Sequence, residues 1–141
     1  KEVMIQSLCE YVFENTDQQR MAYEDIMRRE CMGSIVLEDA GIMLLHAKSK
    51  ATKQFEFKLF LSDTPLTFLR EANIKAIVFM LIQEHPLSVQ TSLLSMINQS
   101  LIDDDRFIAD IQSQHEGRIR ESIQRLCQTW LTTQTKQHIL G

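Results

Sequence analysis

Apolar residues near the start of the chain recur at steps of three and four, the spacing of helices that bury one face. This pattern predicts a first helix over residues 2–14 and a second helix that ends at Glu30. The polar residues 15–17 between them suit a helix stop followed by a new N-cap. Two helices are therefore expected before the first strand.

The next part of the chain carries the patterns of strands. Two short β-prone runs, at residues 34–37 and 42–45, lie on either side of a turn. An alternating run follows at 55–61, and a wholly apolar run at 76–82. Alternation is typical of a strand with one buried face, whereas a continuous apolar run is typical of a strand buried on both faces. We therefore expect residues 76–82 to lie near the centre of the sheet.

Turn residues and helix caps predict the remaining elements. Residues 63–65 indicate a turn before a short edge strand at 66–68. Pro86 is expected to open a third helix, because a proline at the first helical position loses no hydrogen bond. The carboxylates at 103–105 suit the start of a fourth helix. Gly117 or its neighbours then separate that helix from a last one.

The composition narrows the class of protein. A chain of 141 residues with 44% apolar residues suits one α/β domain over residues 1–141, with a mixed central β-sheet flanked by α-helices. Its 15 basic and 19 acidic residues give a net charge of −4, and the basic residues are scattered, so direct contact with nucleic acid is not expected. No apolar run approaches the roughly 20 residues of a membrane span, and no signal peptide is visible. The sequence thus predicts a cytoplasmic protein without membrane insertion.

The cysteines and motifs exclude several kinds of site. Cys9, Cys31 and Cys127 are odd in number and far apart, a spacing that fits neither a disulfide framework nor a zinc site. The four histidines are too dispersed for metal-ligand spacing, and the sequence contains no Gly-rich phosphate loop. We expect reduced, mostly structural thiols and no metal.

The segment GIMLLHAKS, residues 41–49, leads an apolar strand directly into His46. A side chain at the end of a strand is held by a rigid scaffold while its ring faces a cleft, which suits a chemical role. The alternative is a histidine that merely packs against its neighbours. His85 follows the apolar run 76–82 in the same way, so the two rings could share one edge of the sheet.

The surroundings of His85 suggest an anion as the ligand. A helix that begins at this point offers unpaired N–H groups and a positive dipole end, both of which suit a phosphate. Arg28 and Arg29 end the second helix and could add a guanidinium to the same oxygens. The alternatives are that His85 caps its helix and that the arginines are solvated surface charges.

Taken in order, these segments resemble a known family, the mannitol/fructose-type (type 2) enzyme IIA domain of the bacterial phosphoenolpyruvate-dependent sugar phosphotransferase system (PTS). In that family a helix ends in Arg-Glu, a strand presents a histidine, and a second histidine follows an apolar strand before an acidic turn. The matching positions here are Arg29-Glu30, residues 41–46, residues 76–82, His85 and residues 103–105.

The resemblance implies a role for each residue. His46 would accept a phosphoryl group from the phosphohistidine of the carrier HPr, and His85 would act as an auxiliary histidine. Arg29 would stabilise the phosphate, with Arg28 as a nearby substitute. Such a transfer needs positioning and charge stabilisation, so no cofactor and no metal are expected.

Two departures from the family pattern affect the predicted role. Leu45 stands where family carriers usually have proline, and Ser34-Ile35 stands where a Ser/Thr-Thr pair is common. Similar domains occur at the C-terminus of transcriptional regulators and antiterminators, and a start at Lys1 fits an excised module of that kind. The sequence therefore favours a regulatory module that acts on sister domains. The alternatives are a phosphocarrier that passes the group to enzyme IIB for sugar uptake, and a structural domain in which His46 is inert.

Overall fold

The computed structural model describes residues 1–66 and 73–140, with side chains described up to residue 135. The chain divides into two compact units, Lys1–Pro86 and Leu87–Gly141. The first unit contains the sheet and two helices, and the second contains three helices. The single domain expected from the sequence stays a prediction.

The elements of the first unit follow the order expected from the sequence. They are α1 (Glu2–Val12), α2 (Thr16–Glu30), β1 (Ile35–Leu37), β2 (Ile42–Ser49), β3 (Glu56–Leu66) and β4 (Ile74–Gln83). The Asn15 side chain caps α2, since its Oδ1 accepts hydrogen bonds from the backbone N–H groups of Asp17 at 2.8 Å and Gln18 at 3.2 Å. Both predicted helices are therefore confirmed.

The sheet is mixed, with the strand order β1-β2-β4-β3. Strands β2 and β4 pair in parallel, whereas β1 pairs with β2 and β3 pairs with β4 in the antiparallel sense. Strand β4 lies between two neighbours, and its Val78, Phe79 and Leu81 are completely buried. Its central position, predicted from its continuous apolar run, is confirmed.

Helices α1 and α2 contribute to one core with the sheet. Cys9 of α1 and Ile26 of α2 belong to the same buried cluster as Leu45 of β2 and Phe79 of β4. Burial, with a smaller contribution from the negative charge of Glu10, raises the pKa of the Cys9 thiol to about 12. This thiol therefore stays protonated and serves as a packing residue.

Two features of the strands differ from the prediction. Strand β2 continues to Ser49 instead of ending before His46. Strand β3 continues to Leu66, through the predicted turn at 63–65, by way of a shift in register between Leu61 and Leu66. Local hydrogen bonds between the Ser62 hydroxyl and the backbone of Thr64 satisfy polar groups at this irregularity. The predicted edge strand at 66–68 lies largely outside the described residues.

The second unit contains α3 (Ser88–Asp103), α4 (Asp105–Ser113) and α5 (Glu116–Leu140). Asp104 caps α4, because its Oδ1 accepts a hydrogen bond of 3.0 Å from the Phe107 N–H, which also lowers the pKa of the carboxyl group. This confirms the capping role predicted for the acidic run. No helix among the described residues is long and apolar enough to cross a bilayer.

The helix boundaries correct one further prediction and refine another. Helix α3 begins at Ser88, so Pro86 is not its first residue; the N-cap is Leu87, whose N–H donates to Gln90 Oε1 at 2.8 Å. The break before α5 falls at Gln114, which ends α4 with φ of 58°, while Gly117 lies inside the first turn of α5. Local polar contacts, which composition alone does not reveal, select these boundaries.

Candidate functional site

His46 lies inside strand β2, opposite Met80 of β4. Side chains alternate along a strand, and the neighbours Leu45 and Ala47 face the core that α1 and α2 share. The His46 ring therefore lies on the other face of the sheet, where it is half-buried. The prediction that His46 ends its strand was wrong, because β2 stays paired with β4 as far as Ser49.

Gly41 sets the start of this strand. It adopts a φ of +71°, and an added Cβ would approach the Asn73 carbonyl oxygen to 2.9 Å. The Gly41 carbonyl accepts a hydrogen bond of 2.9 Å from the Lys75 N–H at the beginning of β4. Only glycine fits this close approach without strain, so it fixes the register of the strand that carries His46.

The end of helix α2 is close enough to His46 for the charges of Arg29 and Glu30 to act on the ring. Ile35 of β1 pairs with Leu44 of β2, and antiparallel partners advance in opposite directions, so Gly33 lies near the level of His46. The Arg29 Nη1 donates a hydrogen bond of 3.0 Å to the Gly33 carbonyl oxygen. This contact uses one of the five donors of the guanidinium and anchors the charge next to the strand.

Burial and charge together determine the protonation state of His46. Partial burial lowers the pKa of the ring, the positive charge of Arg29 lowers it further, and the negative charge of Glu30 opposes them. The net effect is a pKa below the ordinary value of 6.5, which favours the neutral form of the imidazole at pH 7. A neutral ring has a free lone pair, which a nucleophile requires.

Glu30 belongs to a polar cluster that sequence reasoning missed. Its carboxylate accepts an ion-pair contact from Lys1 Nζ at 2.7 Å and a hydrogen bond from the Ser34 hydroxyl at 2.5 Å. Lys1 Nζ also donates to the Ser34 hydroxyl. Lys1 and Ser34 are 33 residues apart, so no local pattern in the sequence indicates that they meet. The one signal for this cluster in the sequence is the pair Arg29-Glu30.

Arg28 does not join Arg29. Its guanidinium pairs with Asp25 at 2.7 Å, and 72% of its side chain is exposed. It lines a cavity of about 430 Å³ between α2 and the end of β2, together with Lys48, Lys50 and the carboxylates of Glu24, Asp25 and Glu84. Because this lining carries both signs of charge, the alternative that Arg28 is a solvated surface charge fits best.

His85 lies in different surroundings. It is exposed and follows the end of β4 by two residues, while its carbonyl oxygen accepts a hydrogen bond of 3.1 Å from Gln83 Nε2. Gln83 pairs with Ser49, which is three residues beyond His46 on β2. The parallel strands thus direct both histidines towards the same end of the sheet. Their convergence on one ligand stays a prediction, whereas the alternative that His85 caps α3 was wrong, because Leu87 is the N-cap.

The described residues contain no group of three or more His, Cys, Asp or Glu side chains that could hold a metal ion. What the first unit does hold is a neutral imidazole beside an anchored guanidinium. Such a pair can accept an electrophilic, anionic group, because the ring supplies the lone pair and the arginine attracts the negative oxygens.

Comparisons with known proteins give a family from the sequence and a matching fold from a solved structure. The family model described as phosphoenolpyruvate-dependent sugar phosphotransferase system, EIIA 2, matches residues 1–126. The crystal structure of nitrogen regulatory protein IIA-Ntr from Neisseria meningitidis matches with a TM-score of 0.58 and 18% sequence identity, over 86% of this chain and 76% of that one. A search of curated proteins finds no match. The predicted α/β fold with a mixed sheet is thereby confirmed.

Proposed function

Because this chain belongs to the type-2 enzyme IIA family of the phosphoenolpyruvate-dependent sugar phosphotransferase system, we propose that His46 accepts a phosphoryl group from the phosphohistidine of HPr. The observation that carries the proposal is a half-buried ring with a lowered pKa beside the anchored Arg29. The family match crosses the boundary between the two units, which supports their acting as one enzyme IIA domain.

The proposed step is a direct displacement. A ring nitrogen of His46 attacks the phosphorus of phospho-HPr, the new P–N bond forms, and the electrons of the old P–N bond return to the HPr ring. Arg29 has donors left after its contact with Gly33, and these bind the transferring oxygens. His85, on the exposed connection after β4, acts as the auxiliary histidine and contacts the phosphoryl group from the same end of the sheet. The step needs neither cofactor nor metal.

The regulatory role is the favoured form of this function. Leu45 is completely buried and pairs opposite Phe79, so β2 passes through this position without interruption. A proline there, as in carriers of the family, would remove an N–H from the strand. We infer that the phosphoryl group stays on His46 in this continuous strand, where it serves as a signal. The phosphoryl group adds nearly two negative charges, which change contacts with sister domains of a regulator.

A carrier role is the second candidate. Met32 lies in the connection between α2 and β1, and 76% of it is exposed. This connection includes Gly33, the anchor of Arg29, so an apolar residue stands next to the proposed site. An enzyme IIB that docks on the site would bury such a residue.

Intact-mass measurement tests phosphorylation. The protein is incubated with phosphoenolpyruvate, enzyme I and HPr, and wild type is compared with His46→Ala. We expect one phosphoryl group on the wild type and none on the variant. An unlabelled wild type would refute the proposal, and a label that survives in His46→Ala would mean that another residue is the acceptor.

Onward transfer separates the two roles. Labelled protein is mixed with purified enzyme IIB domains of the mannitol and fructose systems, and the label on each protein is followed over time. A regulatory module is expected to keep its label, whereas rapid transfer would support the carrier role. Phosphoryl return to unlabelled HPr serves as the control that the phosphohistidine is reactive.

A further inference from the structure

The cluster of Lys1, Glu30 and Ser34 places a buried carboxylate close to the proposed acceptor. Only 5% of the Glu30 side chain is exposed, and 27% of that of Lys1. A carboxylate this deeply buried is costly unless it is paired, and here Lys1 at 2.7 Å and the Ser34 hydroxyl at 2.5 Å satisfy it. The cluster therefore holds the Glu30 charge in one place.

Glu30 is near enough to His46 for its charge to act on the ring, where it opposes Arg29. Ser34 adjoins Gly33, to which Arg29 is anchored, so both ends of the polar cluster lie along the same side of β2. The opposite charges of Arg29 and Glu30 alone would cancel. The ammonium of Lys1 adds a positive charge, so the three side chains leave a net charge of +1 beside the strand.

We propose that Lys1 is a positioning residue for phosphoryl transfer: by neutralising Glu30, it keeps the surroundings of His46 net positive and favours the phosphohistidine form. The inference rests on the proposed phosphorylation of His46. A phosphohistidine carries more negative charge than the free ring, so each positive charge near it stabilises the product and each negative charge opposes it. Lys1 touches the Glu30 carboxylate and acts through it.

The test is the equilibrium of phosphoryl exchange between HPr and this protein. Lys1→Met leaves the Glu30 charge uncompensated and should shift the equilibrium roughly three- to tenfold towards phospho-HPr. Glu30→Gln removes the opposing charge and should shift it by a similar factor towards this protein. The double variant restores the net charge and should return close to the wild-type value. Lys1→Arg, which retains the charge, should rescue the loss seen with Lys1→Met.

Two control variants make the same charge changes at the far end of the strands. Lys75→Met and Glu38→Gln alter exposed residues near Gly41, five residues before His46 on β2, or roughly 16 Å along the strand. Both should leave the equilibrium within about twofold of wild type, because exposed charges beyond the Debye length of about 10 Å are screened.

The gain expected from Glu30→Gln separates this role from a structural one. If the cluster only stabilises the fold, both single variants should have a lower unfolding temperature. Neither should then shift the exchange equilibrium towards the phosphorylated form of this protein. Circular dichroism melts establish that each variant is folded at the assay temperature. An unchanged or lowered equilibrium in folded Glu30→Gln would overturn the inference. If wild type is labelled on His46 but the variants do not differ, only this inference fails; if wild type is not labelled, the proposed function fails with it.

Discussion

His46 lies within β2 and His85 follows β4, two strands that run in parallel, yet the two rings differ in burial and in neighbouring charge. His46 is half-buried inside β2, with an anchored arginine and a buried glutamate beside it. His85 is exposed, in the short connection between β4 and α3. A charge acts strongly on a group that is shielded from water and weakly on one that is solvated. A strand position and the nearby helix end, more than the residue type, therefore equip a histidine for chemistry.

Substitution of the two histidines should give the greatest difference in phosphoryl transfer. His46→Gln should abolish phosphoryl acceptance from phospho-HPr, whereas His85→Gln should slow it roughly tenfold, since an exposed ring contributes through a contact that water screens. Single-turnover transfer, followed by intact mass, measures both. A complete loss in His85→Gln with transfer retained in His46→Gln would reverse the assignment.

The two arginines should differ almost as clearly. Arg29→Ala removes the anchored charge next to His46 and should lower the transfer rate by a factor on the order of a hundred. Arg28→Ala, the matched control on the same helix end, breaks an exposed pair with Asp25 and should change the rate by less than about twofold. Equal losses in the two variants would contradict the anchoring role of Gly33.

A smaller effect is a shift in the titration of His46. Burial and Arg29 hold the pKa of His46 below 6.5, so Arg29→Ala should raise it, whereas Arg28→Ala should leave it nearly unchanged. The ring protons in an NMR titration between about pH 5 and pH 8 report this directly. A His46 pKa at or above 6.5 in wild type would remove the electrostatic distinction between the two regions.

The same lowered pKa has a consequence for stability. The folded state binds fewer protons at His46 than the unfolded chain does. The free energy of unfolding is therefore highest above the unfolded pKa near 6.5, and it falls as the pH is lowered from there towards the folded pKa. Urea unfolding should therefore show a smaller loss of stability on acidification in His46→Gln than in wild type. A parallel loss in both would contradict the prediction.

The errors in the predicted elements have a common cause. The polar residues after His46 predict the end of a strand there, but Lys48 is exposed while Ala47 and Ser49 are buried, so β2 continues as an alternating strand. The preference of proline for the first helical position predicts that Pro86 opens α3, whereas the helix begins after Leu87. In both cases pairing or local hydrogen bonding outweighed a preference read from single residues.

The order of elements, the central position of β4, the capping segments 15–17 and 103–105, and the family could all be predicted from the sequence. These depend on local periodicity, local capping and ordered motifs, which a linear pattern records. The folded chain was needed to show that Arg29 reaches Gly33, that Arg28 pairs with Asp25, and that Lys1 neutralises Glu30. Those outcomes depend on which residues meet across the fold, because the charge that acts on His46 comes from neighbours in space.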